Sequence, residues 1–430
     1  MPDIHDLNIR ALIPVYDTTR NPDAREVLTS LLLELPGNPE LIYKKQAVMK
    51  TLIHHGYHRT QLDYSPVDYG EVQAFLHRLG QIELPAAGDV VTRIFHYKTL
   101  RNDQYMLQGG LRQLIGFMDT ADRYFSFINP AHFPDEFRRR LIIIQEIFRK
   151  MQLPARAVAA RSGTFTAKEI RRLIQLFLHE ITAGEWHIFW QTFNYWEAWL
   201  SLANAAVRMN MVFAEFTSGG FELKDFYHLL IKQPVRNSIC TDASVLLLTG
   251  ANMSGKSTLL KAMGCCVYLA HAGMPVPASV CRIPFYNGIS AAINLRDDLQ
   301  SGYSHFMMEV QQLKQTLHAA GGGDNCFAIF DELFRGTNAD DATDISLQTI
   351  EGLVTSPKGF FIISTHLHAL EGLLTPGPGW KAMHMACMLE EGLPRFAYQL
   401  QEGWGRLKIG RIIFEQEGLP AMLGQWKSLT

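Results

Sequence analysis

The chain has 430 residues, with 40 Lys and Arg against 42 Asp and Glu and a formal net charge of −2. That length allows roughly two to three domains, and 47% apolar with 19% charged residues excludes a chain too polar to build a core. The near-neutral balance also excludes a general electrostatic pull on polyanions, so any nucleic-acid contact has to come from local basic patches.

In chain order, the first half reads as successive helices, with apolar positions recurring every three and four residues. Ala24 to Glu34, Pro39 to His55, Glu71 to Gly80, Phe133 to Met151 and Thr166 to Glu180 all fit this spacing. Asn38-Pro39-Glu40 is a helix start, because proline is pre-shaped for the first turn and asparagine can accept from its free N–H groups. A long helix is expected from about Trp190 to Phe216, ended by Gly219-Gly220, where a domain boundary is placed. Beyond it, short apolar strands alternate with helices, the pattern of an α/β layer. The expected strands are Val245 to Thr249, Gly288 to Asn294, Phe327 to Phe330, Phe360 to Ser364 and Lys381 to Met388. The expected helices are Gly255 to His271, His305 to Ala319, Asp340 to Val354 and Leu367 to Leu373.

No run reaches the ~18 apolar residues of a membrane span. The amino terminus, MPDIHDLNIR, has no basic segment followed by an apolar one, so a cytoplasmic protein is expected. The six cysteines, Cys240, Cys265, Cys266, Cys281, Cys326 and Cys387, show no metal-ligand spacing and read as small hydrophobes.

The strongest chemical signal is Gly250-Ala251-Asn252-Met253-Ser254-Gly255-Lys256-Ser257-Thr258, a G-x-x-x-x-G-K-[ST] phosphate loop directly after an apolar strand. Gly250 and Gly255 let the backbone turn its N–H groups toward phosphate oxygens at a helix start. Lys256 suits the β and γ phosphates of ATP, and the Ser257 hydroxyl suits Mg²⁺. Further on, Asp331-Glu332 leaves an apolar strand at its carboxyl end, where ligands of open α/β sheets bind. Alone this pair is equally a solvated strand end. Beside a phosphate loop, Asp331 suits Mg²⁺ and Glu332 suits the attacking water. His366 ends the strand Phe360 to Ser364, where it is either a hydrogen-bonded strand-end histidine or a contact to the γ phosphate. Ser304, just before the helix carrying Phe306, Val310 and Leu313, is either a helix cap or a phosphate contact at a positive helix end.

These segments together resemble the MutS family of DNA mismatch-repair ATPases. TGANMSGKST, Thr249 to Thr258, is similar to the family's TGPNMGGKST, with Ala251 for proline and Ser254 for glycine. DDLQSGYSHFMMEV from Asp297, FDELFRGTNADDA from Phe330 and STHLHAL from Ser364 resemble its later motifs in the same order. The resemblance implies an α/β P-loop NTPase domain of ABC/MutS-like type over 219–405, preceded by a mostly α-helical lever or core domain over 1–218 and followed by a short helical tail over 406–430. It implies ATP and Mg²⁺ as cofactors, with Gly250 to Thr258 binding nucleotide, Ser257 and Asp331 the metal, and Glu332 and His366 catalytic. It further implies that Ser304 faces ATP in the other subunit of a homodimer, with the loop Arg335-Gly336-Thr337-Asn338 in the same interface. Duplex or branched DNA is the implied partner. No counterpart is found for the family's amino-terminal mismatch reader, and Phe213-Ala214-Glu215 reads as packing in a connecting helix. The tail lacks the S-Y-G core, and its end at Thr430 leaves little room for the family's helix-turn-helix dimer element.

Two further features keep alternatives open. Arg138-Arg139-Arg140 with Arg149-Lys150, Arg171-Arg172 and Lys44-Lys45 are either DNA-backbone contacts or solvated helix faces, since acids lie among their neighbours. The aromatic cluster from Trp186 to Trp199 could stack on bases, but its helical spacing favours core. The rival readings are an ATPase switch acting on a protein partner without DNA, and an ATP-responsive scaffold with negligible hydrolysis.

Overall fold

The computed structural model describes residues 4–80, 101–162, 165–251, 253–293, 305–321, 323–334, 336–356, 358–390, 393–407 and 409–427. Two compact units interleave along the chain. One takes residues up to Val15, Leu32–Tyr43 and everything from Ala206, and the other takes Tyr16–Leu31 and Lys44–Ala205. A single cut at Gly219-Gly220 is therefore not how the backbone partitions.

Local geometry explains the difference near the boundary. The long helix spans Ala183–Arg208 and stops there, short of Phe216. Asn210 takes a left-handed φ of 53° and Met211 N–H bonds back to Ala206 O at 2.9 Å, closing the helix end. The chain then enters strand β1, Glu215–Thr217, so Phe213-Ala214-Glu215 lies beyond the helix. Gly219-Gly220 turns the chain between β1 and β2, Phe221–Phe226, with Gly220 at φ 75°.

The helical unit contains the helices Pro66–Gly80, Arg101–Phe125, Asp135–Met151, Leu153–Ser162 and Ala167–Gln175, the last running into a π-turn, Leu176–Glu180. Arg101–Phe125 had no counterpart among the sequence expectations, and it carries a Gly109-Gly110 doublet in its interior. Close packing accounts for one of those glycines: a Cβ on Gly110 would lie 2.2 Å from the Phe75 ring. The core is aromatic, with Trp196, Phe189 and Phe193 fully buried and Trp196 packed against Phe125 and Phe133 at 5.5 Å between centroids. Trp186 and Trp190 are half-buried, and this cluster is core as its spacing favoured. The carboxylate of Glu197 is buried there. It accepts from Tyr64 Oη at 2.5 Å, from Asn21 Nδ2 at 2.8 Å and from the Arg20 N–H, while burial raises its pKa.

The other unit holds two sheets. Strands β1, β5 (Val280–Pro284), β2 and β3 (Asn237–Thr241) form one, in the order β1-β5-β2-β3. The second has the order β10-β9-β4-β8-β7-β6, with β4 Val245–Thr249, β6 Gly288–Ala292, β7 Cys326–Phe330, β8 Phe360–Ser364, β9 Trp380–Glu390 and β10 Leu393–Glu402. All its neighbours run parallel except β9 and β10. Strands β4, β7 and β8 are buried at every position, which is why they read as continuous apolar runs. The helices Lys256–Ala272, His305–Gly321 and Ala339–Val354 connect them, and Ile409–Gln416 and Leu419–Lys427 close the tail. Among the described residues no helix is long and apolar enough to cross a membrane.

His271, at the end of the helix Lys256–Ala272, shows how tightly this unit is built. Its Nδ1 lies 2.7 Å from Val267 O and its Nε2 accepts the Tyr286 N–H at 2.9 Å, which fixes the neutral Nδ1–H tautomer. Burial lowers its pKa to about 4. The unfolded chain therefore takes up this proton near pH 6.5 and the folded chain only near pH 4, so the stability it carries is complete above pH 6.5 and lost as pH falls through that window. Urea unfolding at pH 7 and pH 4.5 should show a loss on the order of 2–3 kcal/mol from this group, and His271→Gln should flatten the acid slope.

Candidate functional site

The strand order brings three loops together. Strand β4 lies beside β8, and β8 beside β7, so the segments leaving their carboxyl ends share one edge of the sheet. Backbone bonds extend the ladder past the strands: Thr365 N–H donates to Leu248 O at 3.0 Å, Glu332 N–H to Ser364 O at 3.1 Å and Asp331 N–H to Ala292 O at 2.8 Å.

Gly250 at φ 137° and Gly255 at φ 91° shape the loop after β4. Ser257 Oγ, in the first turn of the following helix, donates to Asp331 Oδ2 at 2.6 Å. Lys256 is buried, and its ammonium donates to the loop carbonyls Gly250 O at 2.9 Å and Ala251 O at 3.2 Å. Burial lowers its pKa, while the nearby Glu332 and Asp331 carboxylates act in the opposite sense. His366 Nε2 stands 2.6 Å from Glu332 Oε1 and 3.4 Å from Lys256 Nζ. The short contact to a carboxylate places the hydrogen on Nε2, so His366 donates to Glu332 and the lysine is a neighbour of that bond.

Two kinds of strain mark this edge. Met253, Glu332 and Phe334 hold positive φ of 71°, 55° and 65° without being glycine. Ser254 Oγ, Asp331 Oδ1 and Ser364 Oγ are buried with no hydrogen-bond partner among the described residues. A buried orphan oxygen costs about 1–3 kcal/mol unless a ligand or cation satisfies it. The chemistry of the set suits a hard divalent ion, since a hydroxyl and a carboxylate with one uncommitted oxygen match Mg²⁺. Among the described residues no three His, Cys, Asp or Glu side chains gather to hold a metal ion.

Of the residues singled out from sequence, Gly250, Ala251, Ser254, Gly255, Lys256, Ser257, Asp331, Glu332 and His366 converge here. Met253 is 76% exposed at the loop's outer turn, and Thr258 faces a neighbouring cavity. Asn252, Ser304 and Arg335 lie outside the described residues. Asn338 caps the helix Ala339–Val354, accepting the Asp341 N–H at 2.8 Å.

The cavity is a feature that sequence reasoning missed. It encloses about 250 Å³ beside the helix start and is lined by Phe226, Val235, Leu259, Ala262, Met385 and Tyr398, with Gly255 and Thr258 on the loop side. Its walls come from β2, the β2–β3 connection, the start of β3, the loop helix, β9 and β10, and no single stretch carries a signature. Asn237 holds the last wall in place: its amide donates to Tyr398 O at 3.1 Å and accepts Leu400 N–H at 2.7 Å, across the β10 irregularity.

A phosphate loop between a buried strand and a helix, facing an Asp-Glu strand end in a parallel sheet, defines a P-loop ATPase-type α/β domain. Comparison with known proteins narrows the class: residues 246–425 match the model of MutS domain V. The DNA mismatch repair protein MutS of Streptococcus gordonii is 30% identical over 232 residues, 52% of this chain and 27% of that protein. The protein of the same name from Streptococcus pyogenes serotype M5 is 33% identical over 195 residues, 45% of this chain and 23% of that protein. The chain thus spans about a quarter of the length of these relatives, and its carboxyl-terminal half carries a domain V of the MutS family.

The loop itself offers a direct test. A Cβ on Gly255 would sit 3.0 Å from the Tyr398 ring while its φ stays at 91°. Gly255→Ala should lower stability by about 1–2 kcal/mol in urea unfolding.

Proposed function

We propose that this chain is a MutS-like ATPase that couples ATP binding and hydrolysis to engagement of DNA, in mismatch repair or a related processing of DNA structure. The single observation that carries the ATPase part is the group of orphaned oxygens on Ser254, Asp331 and Ser364, lying where the phosphate loop meets the Asp-Glu strand end. In this reading the loop amides and Lys256 hold phosphates, and Lys256 exchanges its carbonyl partners for phosphate oxygens. Ser257 and Asp331 would hold Mg²⁺, which would supply neutralisation of phosphate charge. The apolar cavity beside Gly255 receives the base by shape and stacking. Glu332 orients the attacking water, and His366, bonded to it, holds the carboxylate in place and reaches toward the γ phosphate. The loop Gly250 to Thr258 is the binding segment, with Asn252 included by its place in the motif. The helical unit serves as a lever, and two ATPase faces meet in a homodimer where Ser304 completes the partner's site. We place the protein in the cytoplasm.

One observation favours the second reading, a switch acting on a protein partner. Arg138, Arg140 and Arg149 each pair with an acid on their own helix, Asp135, Glu136 and Glu146, and Lys150 pairs with Glu185 at 2.7 Å. Those charges are locally compensated, which weakens the case for that helix as a DNA-backbone contact.

The deciding experiment measures phosphate release across protein concentration with no DNA and with matched, mismatched and branched duplexes. Stimulation by DNA and a steep concentration dependence are expected. Turnover without DNA binding at ~50 mM salt would select the protein-partner reading, because backbone contacts are strongest at low salt. Lys256→Ala should abolish nucleotide binding, whereas Glu332→Ala should bind ATP normally and lose turnover by about 10²-fold or more. Wild-type turnover in the Glu332 variant would sink its assigned role.

A further inference from the structure

Building on the ATPase reading above, we infer that Asp6 is a positioning residue for the Asp331 carboxylate, acting through the carboxyl end of β6. Asp6 lies in a short 3-10 turn, His5–Leu7, far in sequence from the phosphate loop. Its Oδ2 accepts the backbone N–H of Ile293 at 2.8 Å. The residue before Ile293 is Ala292, whose carbonyl accepts the N–H of Asp331 at 2.8 Å. The Asp6 carboxylate and the Asp331 backbone are thus joined through two consecutive residues at the end of one strand. Asp331 in turn accepts from Ser257 Oγ at 2.6 Å.

The same turn also packs against the middle of the helix that begins with Lys256-Ser257. Leu7 is buried against Gly264 of the helix Lys256–Ala272, where a Cβ would lie 2.4 Å from Leu7 Cδ2. Cys265 Sγ contacts Leu7 O at 3.6 Å. Asn8 then leaves in the left-handed region at φ 49°, ending the turn. Asp6 therefore holds the strand end that supports Asp331, and Leu7 packs against the helix that begins with Lys256-Ser257. Ser257 Oγ and Asp331 Oδ2 belong to different elements, and this three-residue turn bridges those two elements. Sequence reading had no access to this link, because MPDIHDLNIR carries no motif and its partner lies 287 positions away.

The test titrates Mn²⁺ by electron paramagnetic resonance on the full chain, with a non-hydrolysable ATP analogue bound. Nucleotide affinity in EDTA and thermal melting are measured in parallel. Asp6→Ala should raise the half-saturating Mn²⁺ concentration about tenfold, the usual size of an outer-shell loss, with nucleotide affinity in EDTA unchanged. Asp6→Asn keeps an acceptor for the Ile293 N–H and should stay within about twofold of wild type. Asp6→Glu keeps the charge but displaces the oxygen, and should resemble the alanine variant. If Asp6→Ala does not melt cooperatively, the glutamate and asparagine variants carry the comparison. Equal Mn²⁺ binding by all folded variants overturns the inference and leaves the ATPase reading intact. An asparagine variant as weak as the alanine one also overturns it, since charge and not the hydrogen bond would then be responsible. Failure of the wild-type chain to bind Mn²⁺ with nucleotide overturns both.

Discussion

The structure of the nucleotide unit turns on the side-by-side placement of β4, β8 and β7. Each strand is fully buried, so each must be covered on both faces, and parallel neighbours force every connection to cross over through a helix. A consequence is that three connections leave from the same edge. The phosphate loop, the Thr365-His366 segment and the Asp331-Glu332 pair meet because the hydrophobic requirement of the strands leaves them no other exit.

That meeting point concentrates charge in a confined space. One buried ammonium stands among two carboxylates and an imidazole, and the backbone takes left-handed conformations at Glu332 and Phe334. Such strain persists only where surrounding packing over-determines it. Here the Asp331, Glu332 and Thr365 amides are each tied to a carbonyl of an adjacent strand or its extension. The ammonium of Lys256 is satisfied by its own loop carbonyls, a state that a triphosphate can compete for. The buried oxygens of Ser254, Asp331 and Ser364 have no such partner among the described residues.

The helical unit shows a different economy. Its core is dominated by rings, and Glu197, a buried carboxylate, is made tolerable by donors from Tyr64, Asn21 and Arg20. On the helix Asp135–Met151, Arg138, Arg140 and Arg149 each pair with an acid three or four residues away. The helix Asp135–Met151 still carries five cations against three acids, and exposed Arg139 takes part in none of these pairs.

The amino-acid order by itself determined the buried strands, because continuous apolar runs such as Val245 to Leu248 and Phe327 to Phe330 have no stable alternative, and it determined the phosphate loop, whose glycines, lysine and serine are contiguous. It also carried Asp331-Glu332 and His366, each fixed to a strand end. It misplaced the end of the long helix, since the closure at Asn210 depends on one left-handed residue that periodicity does not mark. Strands β1, β2, β3, β5 and β10 were missed as well: several are short or partly exposed and lack a continuous apolar run. Only the tertiary structure decided that the first residues of the chain pack against the helix after the phosphate loop and the end of β6, that an apolar cavity assembled from separate segments borders the loop, and that Glu332 and His366 are bonded to each other. Those relations join residues tens to hundreds of positions apart, and they exist only once the crossovers of the parallel sheet have been closed.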